Sequence, residues 1–214
     1  LTIPFTSLAK SNYTDTKNSN FIATEGILED SKKLNSISNK FQPDVIIHLA
    51  AQAGVRHSLK YPRDYINSNI IGTFNVMEVA RKKKVKHLLM ASTSSVYGAN
   101  SLMPFKETDK TDTQITIYAA SKKANESMAH SYSHLWKIPT TMMRFFTVYG
   151  PWGRPDMAYF KFVNSIINNK PIDIYNNGEM FRDFTYIDDL VNATSILVDI
   201  IPGQNKMIPK IDSL

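Results

Sequence analysis

Tyr118 and Lys122 stand four residues apart in YAASK, and a run of hydroxyls, Ser92-Thr93-Ser94-Ser95, precedes them in STSSVYG. Spacing of four puts two side chains on one face of a helix. A free tyrosine has a pKa of ~10 and is a poor base near neutrality. A neighbouring ammonium and a cationic cofactor ring both favour the phenolate. Tyr118 in that setting can take the proton of an alcohol while hydride leaves the same carbon. Thr93 can share the hydrogen bond to that alcohol, and Lys122 can also hold a cofactor ribose. Tyr13 and Lys17 repeat the spacing, but in a polar stretch without helical apolar periodicity, and they read as a chance match.

This chemistry needs a strand that ends at the hydroxyls and a helix that begins at the tyrosine. Apolar runs at 44–51 (DVIIHLAA), 86–92 (KHLLMAS) and 140–146 (TTMMRFF) read as strands buried on both faces. Weaker strands are expected at 20–26 and at 171–178, the latter leaving through Asn177-Gly178. Helices are expected at 31–40, 64–84, 118–136, 158–169 and 188–200. The inward stripe of the second is read as Ile66, Ile70, Phe74, Met77 and Ala80, and that of the third as Ala120, Ala124, Met128, Tyr132 and Leu135. Strand alternating with helix predicts an α/β fold, a doubly wound parallel sheet of Rossmann type. Ligands of such sheets bind beyond the carboxyl ends of the strands, where Ser92–Ser95 fall.

Composition narrows the classes. There is no cysteine, which excludes disulfides and thiolate metal sites and fits a reducing, cytoplasmic setting. No apolar run approaches the ~20 residues of a membrane span. The net charge of +6 includes RKKKVK at 81–86, which reads as the basic end of a helix. No aromatic interleaving or binding motif points to nucleic acid. His130 and His134 have metal-like spacing without a third ligand, so no metal is expected. Asp188 and Asp189 suit a helix start.

HLAAQAGVRHS, STSSVYG, YAASK, RFFTVYGPWGRPDM and RDFTYIDDL occur in this order. In this the chain resembles the extended short-chain dehydrogenases/reductases, and among them the NAD-dependent UDP-glucuronate 4-epimerases, over roughly residues 20–200. The resemblance implies a tightly held NAD and a UDP-sugar substrate. It implies that Thr93, Tyr118 and Lys122 are catalytic. Leu49, Ala50, Ala51 and Asn69 would lie at the cofactor together with Tyr118 and Lys122. Thr93 and Ser94 would meet the sugar, Arg182 the diphosphate, and Thr147 with Arg154 the carboxylate of glucuronate. Residues 1–150 would form part of the NAD-binding domain. Residues 151–214 would form part of a nucleotide-sugar region whose helix 188–200 returns to the main domain.

The departures from the family pattern bear on the reaction. The 8 glycines include no G-x-G-x-x-G turn, so a missing N-terminal unit and a missing tail are expected. Ile27 stands where relatives place an Asp that hydrogen-bonds adenine. Ser94 and Ser95 replace the Asp and Glu of relatives that eliminate water, which favours epimerisation at C4 through a transient 4-keto sugar. Other nucleotide-sugar epimerases, dehydratases or decarboxylases, and a non-catalytic binding relative, stay open. The resemblance also implies a homodimer built on the two long helices, and a role in polysaccharide assembly.

Overall fold

A computed structural model describes residues 22–204. It comprises two compact units. One runs to Arg144 and takes in the residues from Ile200; the other is Phe145–Asp199.

The first unit opens with α1 (Ser31–Phe41), whose Asp30 cap accepts from the Lys33 amide at 2.9 Å. β1 (Val45–His48) and a short α2 (Val55–Lys60) follow. Then α3 (Pro62–Tyr65), a π-helical segment (Ile66–Gly72) and α4 (Thr73–Lys83) run on without a break. Arg81, Lys82 and Lys83 fill the last turn of α4, where cations oppose the helix dipole. β2 (His87–Thr93) leads into a 3-10 turn (Ser94–Tyr97). After a long loop come α5 (Ile117–Trp136) and β3 (Thr140–Phe145).

The sheet order is β1-β2-β3. β1 pairs parallel with β2, from Val45 against His87 to His48 against Met90. Every residue of β2 is buried, as its near-continuous apolar run requires. Leu88 and Met90 join Leu28, Val76, Met77, Ala80, Val85, Ala129, Tyr132 and Ile138 in one core. Each large aliphatic side chain there contributes roughly 1.5–3 kcal/mol through burial.

The second unit holds β4 (Thr147–Tyr149), α6 (Ala158–Ile167), a turn (Tyr175–Gly178), β5 (Phe184–Tyr186) and α7 (Ile187–Asp199). β4 and β5 pair in parallel, Thr147 against Phe184 and Tyr149 against Tyr186. Asp188 and Asp189 lie in the first turn of α7.

The α/β class with a parallel sheet stands, and several local expectations change. Residues 22–26 form no strand, and residues 20 and 21 lie outside the described residues, as do Tyr13 and Lys17. The expected strand at 171–178 is instead extended chain and a 3-10 turn in which Asn176 and Asn177 are left-handed (φ 49° and 51°). Consecutive left-handed residues turn the chain too tightly for a ladder. Strands 147–149 and 184–186 are three residues each, too short to show a period.

The helix stripes also differ. Met77 and Ala80 are buried as expected, but Ile66 and Phe74 are exposed, and Tyr65, Asn69, Thr73 and Val76 face inward in their place. The π segment adds residues per turn and rotates the inward face. On α5 the buried residues are Ala119, Ser121, Lys122, Asn125, Ala129 and Tyr132, whereas Leu135 is exposed. Among the described residues no helix is long and apolar enough to cross a membrane, and no group of three His, Asp or Glu could hold a metal ion.

Candidate active site

α5 starts where Thr116 caps it, its side chain accepting from the Ala119 amide at 3.2 Å. Tyr118 and Lys122 therefore occupy successive turns on one side. The Lys122 side chain is buried, and Nζ donates to the Ala91 carbonyl at 3.0 Å, two residues before Thr93 on β2. Burial pushes the Lys122 ammonium down from 10.5 to about 8. Tyr118 is half-buried, and Tyr65 meets its ring edge-on with centroids 6.0 Å apart. Thr93 is buried at the strand end. Its hydroxyl accepts from the Ser95 amide at 3.2 Å and donates to Ser95 Oγ at 3.3 Å, capping the 3-10 turn. Ser94 is half-buried in that turn. Gly98 closes the turn at φ 59°; a side chain there would run into the Thr113 carbonyl.

Leu49, Ala50 and Ala51 form the loop beyond β1, with Leu49 exposed and the alanines half-buried. Asn69, in the π-helical segment, holds the next residue of that loop. Its Oδ1 accepts from the Gln52 amide at 2.8 Å, and Nδ2 donates to the Gln52 carbonyl at 3.0 Å. Nδ2 also donates to Ser121 Oγ at 2.9 Å, and Ser121 donates to the Tyr118 carbonyl at 2.8 Å. The loop and the start of α5 are thus tied through one amide. Tyr65 Oη donates to the Gly54 carbonyl at 2.6 Å and the Ala53 carbonyl at 3.1 Å, holding the same loop from the other side.

Beneath Lys122, His48 Nε2 lies 2.9 Å from Thr73 Oγ1, which also accepts from Asn125 at 3.3 Å. Burial and the Lys122 charge lower His48 from 6.5 to about 3, so the ring stays neutral. Tyr65, Ser121, Asn125 and His48 were not anticipated as site residues. Glu126 was not either, although it lies four residues beyond Lys122, on the face that Tyr118 and Lys122 share.

The second unit carries the remaining three residues. The Thr147 amide donates to the Asp183 carbonyl at 3.3 Å, which sets Thr147 beside the segment holding Arg182. Arg182 is exposed and donates to the Phe181 carbonyl at 3.3 Å. Arg154, in the loop after β4, forms a bidentate pair with Asp156, Nε to Oδ1 at 2.9 Å and Nη2 to Oδ2. Arg154 holds the Asp156 carboxyl below the usual range.

In the first unit the donor set suits the ribose of a nicotinamide cofactor. The Lys122 ammonium has three donors, of which one goes to Ala91. A phenol stands one turn away, and a held loop leaves the adjoining strand.

The model of the NAD dependent epimerase/dehydratase family matches residues 3–204, and the chain belongs to that family. It is 54% identical over 195 residues to a probable UDP-glucuronate 4-epimerase of Rhizobium meliloti (strain 1021), covering 91% of this chain and 57% of that protein. A UDP-glucuronic acid 4-epimerase from Bacillus cereus, solved with UDP-glucuronic acid and NAD, superposes with a TM-score of 0.77 at 34% identity. That match covers 89% of this chain and 58% of the other. A UDP-glucose 4-epimerase from Thermotoga maritima, solved with UDP-glucose, gives 0.80 at 29% identity, covering 85% and 60%. The chain thus spans less than two thirds of the length of these relatives.

Proposed function

We propose that the protein is an NAD-dependent epimerase that inverts C4 of UDP-glucuronate to give UDP-galacturonate. The observation that carries this reading is Lys122, buried as a cation at the strand end bearing Thr93 and one helical turn from Tyr118. Kinship with proteins described as UDP-glucuronate 4-epimerases supports the substrate.

NAD, when bound, would supply a reversible hydride acceptor for C4. Lys122 would hold its ribose, and the loop Leu49–Ala51, steadied by Asn69, would flank it. Tyr118 takes the proton of the C4 hydroxyl, and the Lys122 charge favours the phenolate that does so. Thr93 hydrogen-bonds the same hydroxyl, with Ser94 beside the sugar. Inversion requires the 4-keto sugar to turn its opposite face before hydride and the Tyr118 proton are given back, so no net redox change accompanies it. Hydroxyls at Ser94 and Ser95 supply neither the acid nor the base that loss of water requires. Arg182 binds diphosphate oxygens, for which a guanidinium fork is suited. Thr147 and Arg154 receive the sugar carboxylate, the substrate taking over from Asp156.

Residues 1–150 serve the cofactor and 151–214 the nucleotide sugar in this reading. The protein works in the cytoplasm and feeds polysaccharide assembly. Ile66, Ile71 and Phe74 on the first long helix and Ile117, Leu135 and Trp136 on α5 are exposed apolar side chains that a second copy would cover. Light scattering at micromolar concentration is expected to give twice the chain mass; a single mass would reject the homodimer.

Supplied with NAD, the protein is expected to interconvert UDP-glucuronate and UDP-galacturonate, resolved by anion-exchange chromatography. Tyr118→Phe should lose at least 100-fold in kcat while still binding the nucleotide. A 4-keto sugar or a pentose product would reject epimerisation, and unchanged turnover would remove Tyr118 from the chemistry. A second reading, inversion of a neutral UDP-sugar, draws on the likeness to the UDP-glucose enzyme. Preference for UDP-glucose over UDP-glucuronate in the same assay would select it.

A further inference from the structure

Three elements of the first unit meet at one carboxylate, and a fourth packs on its partner. Glu126, on α5, accepts from Ser92 Oγ at 2.6 Å. Its two oxygens receive Arg144 Nε and Nη2, each at 3.0 Å. Arg144 stands on β3, and its guanidinium carbon lies 5.0 Å from the centroid of the Tyr97 ring, at the end of the 3-10 turn. Arg144 Nη1 also donates to the Glu107 carbonyl at 3.2 Å, and Tyr97 stacks on Phe105 with centroids 4.5 Å apart. Lys123 Nζ lies 3.8 Å from Glu126 Oε2.

The side chains of Glu126 and Arg144 retain only 10% and 20% of their exposure, so neither charge is fully hydrated. A bidentate pair in that setting is geometrically demanding, and loss of one partner leaves the other charge uncompensated. Burial alone would raise the Glu126 carboxyl, but Arg144 and Ser92 more than offset it and hold it below the ordinary glutamate range.

The connections are what give this carboxylate reach. Ser92 is the residue before Thr93, so the Ser92–Glu126 bond holds the end of β2 against α5 one residue short of Thr93. Glu126 follows Lys122 by one turn and Tyr118 by two, on the same helix face. Tyr97, under the Arg144 guanidinium, pins the far end of the turn that Thr93 caps. One ion pair therefore grips both sides of the place where Thr93 must face Tyr118.

We propose that Glu126 is a positioning residue that, through Ser92 and Arg144, keeps Thr93 in register with Tyr118 and Lys122. It touches no substrate in this assignment, which rests on the reading of those three as the reacting groups. A misplacement of about 1 Å in such a set can cost on the order of 100-fold in rate.

Glu126→Gln keeps the shape and removes the charge; Ser92→Ala removes only the hydroxyl link and leaves the ion pair. Both are made in the full chain and compared at a temperature where melting curves show each folded. Glu126→Gln is expected to lower kcat 10- to 100-fold and Ser92→Ala 3- to 10-fold, with KM for UDP-glucuronate within about twofold. Combined with Thr93→Ala, Glu126→Gln should add less than a twofold loss, since its action passes through Thr93. Hydrogen exchange of the segment 92–98 should quicken in both variants, a readout that needs no turnover.

Unchanged exchange in 92–98, or a kcat loss fully additive with Thr93→Ala, would overturn the assignment. Faster exchange in a protein that epimerises no UDP-sugar would support the clamp and refute the enzymatic reading, so the two failures are distinct.

Discussion

Asn69 shows how much a single buried amide carries in this chain. It is completely buried and makes three hydrogen bonds, two to the backbone of Gln52 and one to Ser121. Replacement by Leu keeps the branched shape but strands the part-buried N–H and C=O of Gln52, each worth up to about 1–3 kcal/mol when left unpaired. Asn69→Leu is therefore expected to lower the unfolding free energy by roughly 2–4 kcal/mol in urea titration, and to weaken NAD binding because the loop after β1 loses its tether. A variant with wild-type stability and NAD affinity would show that the loop holds itself. Tyr118 and Lys122 are readable from sequence because spacing of four on a helix has one geometric meaning. Glu126 obeys the same spacing, but a glutamate one turn beyond a lysine is also what an exposed helix carries. Only the approach of Arg144, 18 residues further on, separates the two cases.

Elements that bury one continuous apolar surface were legible in extent and in face; for those that bury polar groups the extent was legible and the inward face was not. β2 is entirely buried, and its apolar stretch from Leu88 to Ala91 shows it without ambiguity. α5 hides Ser121, Lys122 and Asn125 instead, each satisfied in part by hydrogen bonds to partners distant in sequence. Hydrophobic periodicity finds the core at Met128 and Tyr132 but also runs through Ala120, Ala124 and Leu135, because it is blind to polar groups satisfied by distant partners. The long helix before β2 fails for another reason. Its π-helical segment from Ile66 to Gly72 breaks the 3.6 period, and with it the inference that Ile66 and Phe74 face inward. Asn69, which holds Gln52, lies within that segment. The three-residue strands of the second unit depend on pairing with each other and carry no period of their own.

At the scale of the whole molecule, two buried bases make stability depend on pH in a directed way. His48 takes up its proton near pH 3 when folded but near 6.5 when unfolded, because burial and the charge of Lys122 both oppose ionisation. Between those values the unfolded chain binds the extra proton, so acid favours unfolding, by about 1.4 kcal/mol per pH unit for one group. Lys122 loses its proton near pH 8 when folded and near 10.5 when unfolded, through burial. Between pH 8 and 10.5 the unfolded chain again holds more protons, so the contribution of Lys122 to stability rises with pH, having been a full penalty below 8. The two windows do not overlap, and substitutions separate them. Lys122→Met is expected to abolish the alkaline rise. It should also shrink the acid loss, since without the neighbouring charge His48 ionises more readily in the fold. Urea midpoints at half-unit steps from pH 5 to 10, taken as differences from wild type, cancel the titration of exposed groups. A difference curve with no slope above pH 8 would mean that Lys122 is solvated in the folded chain. The desolvated ammonium on which the proposed chemistry relies would then be absent.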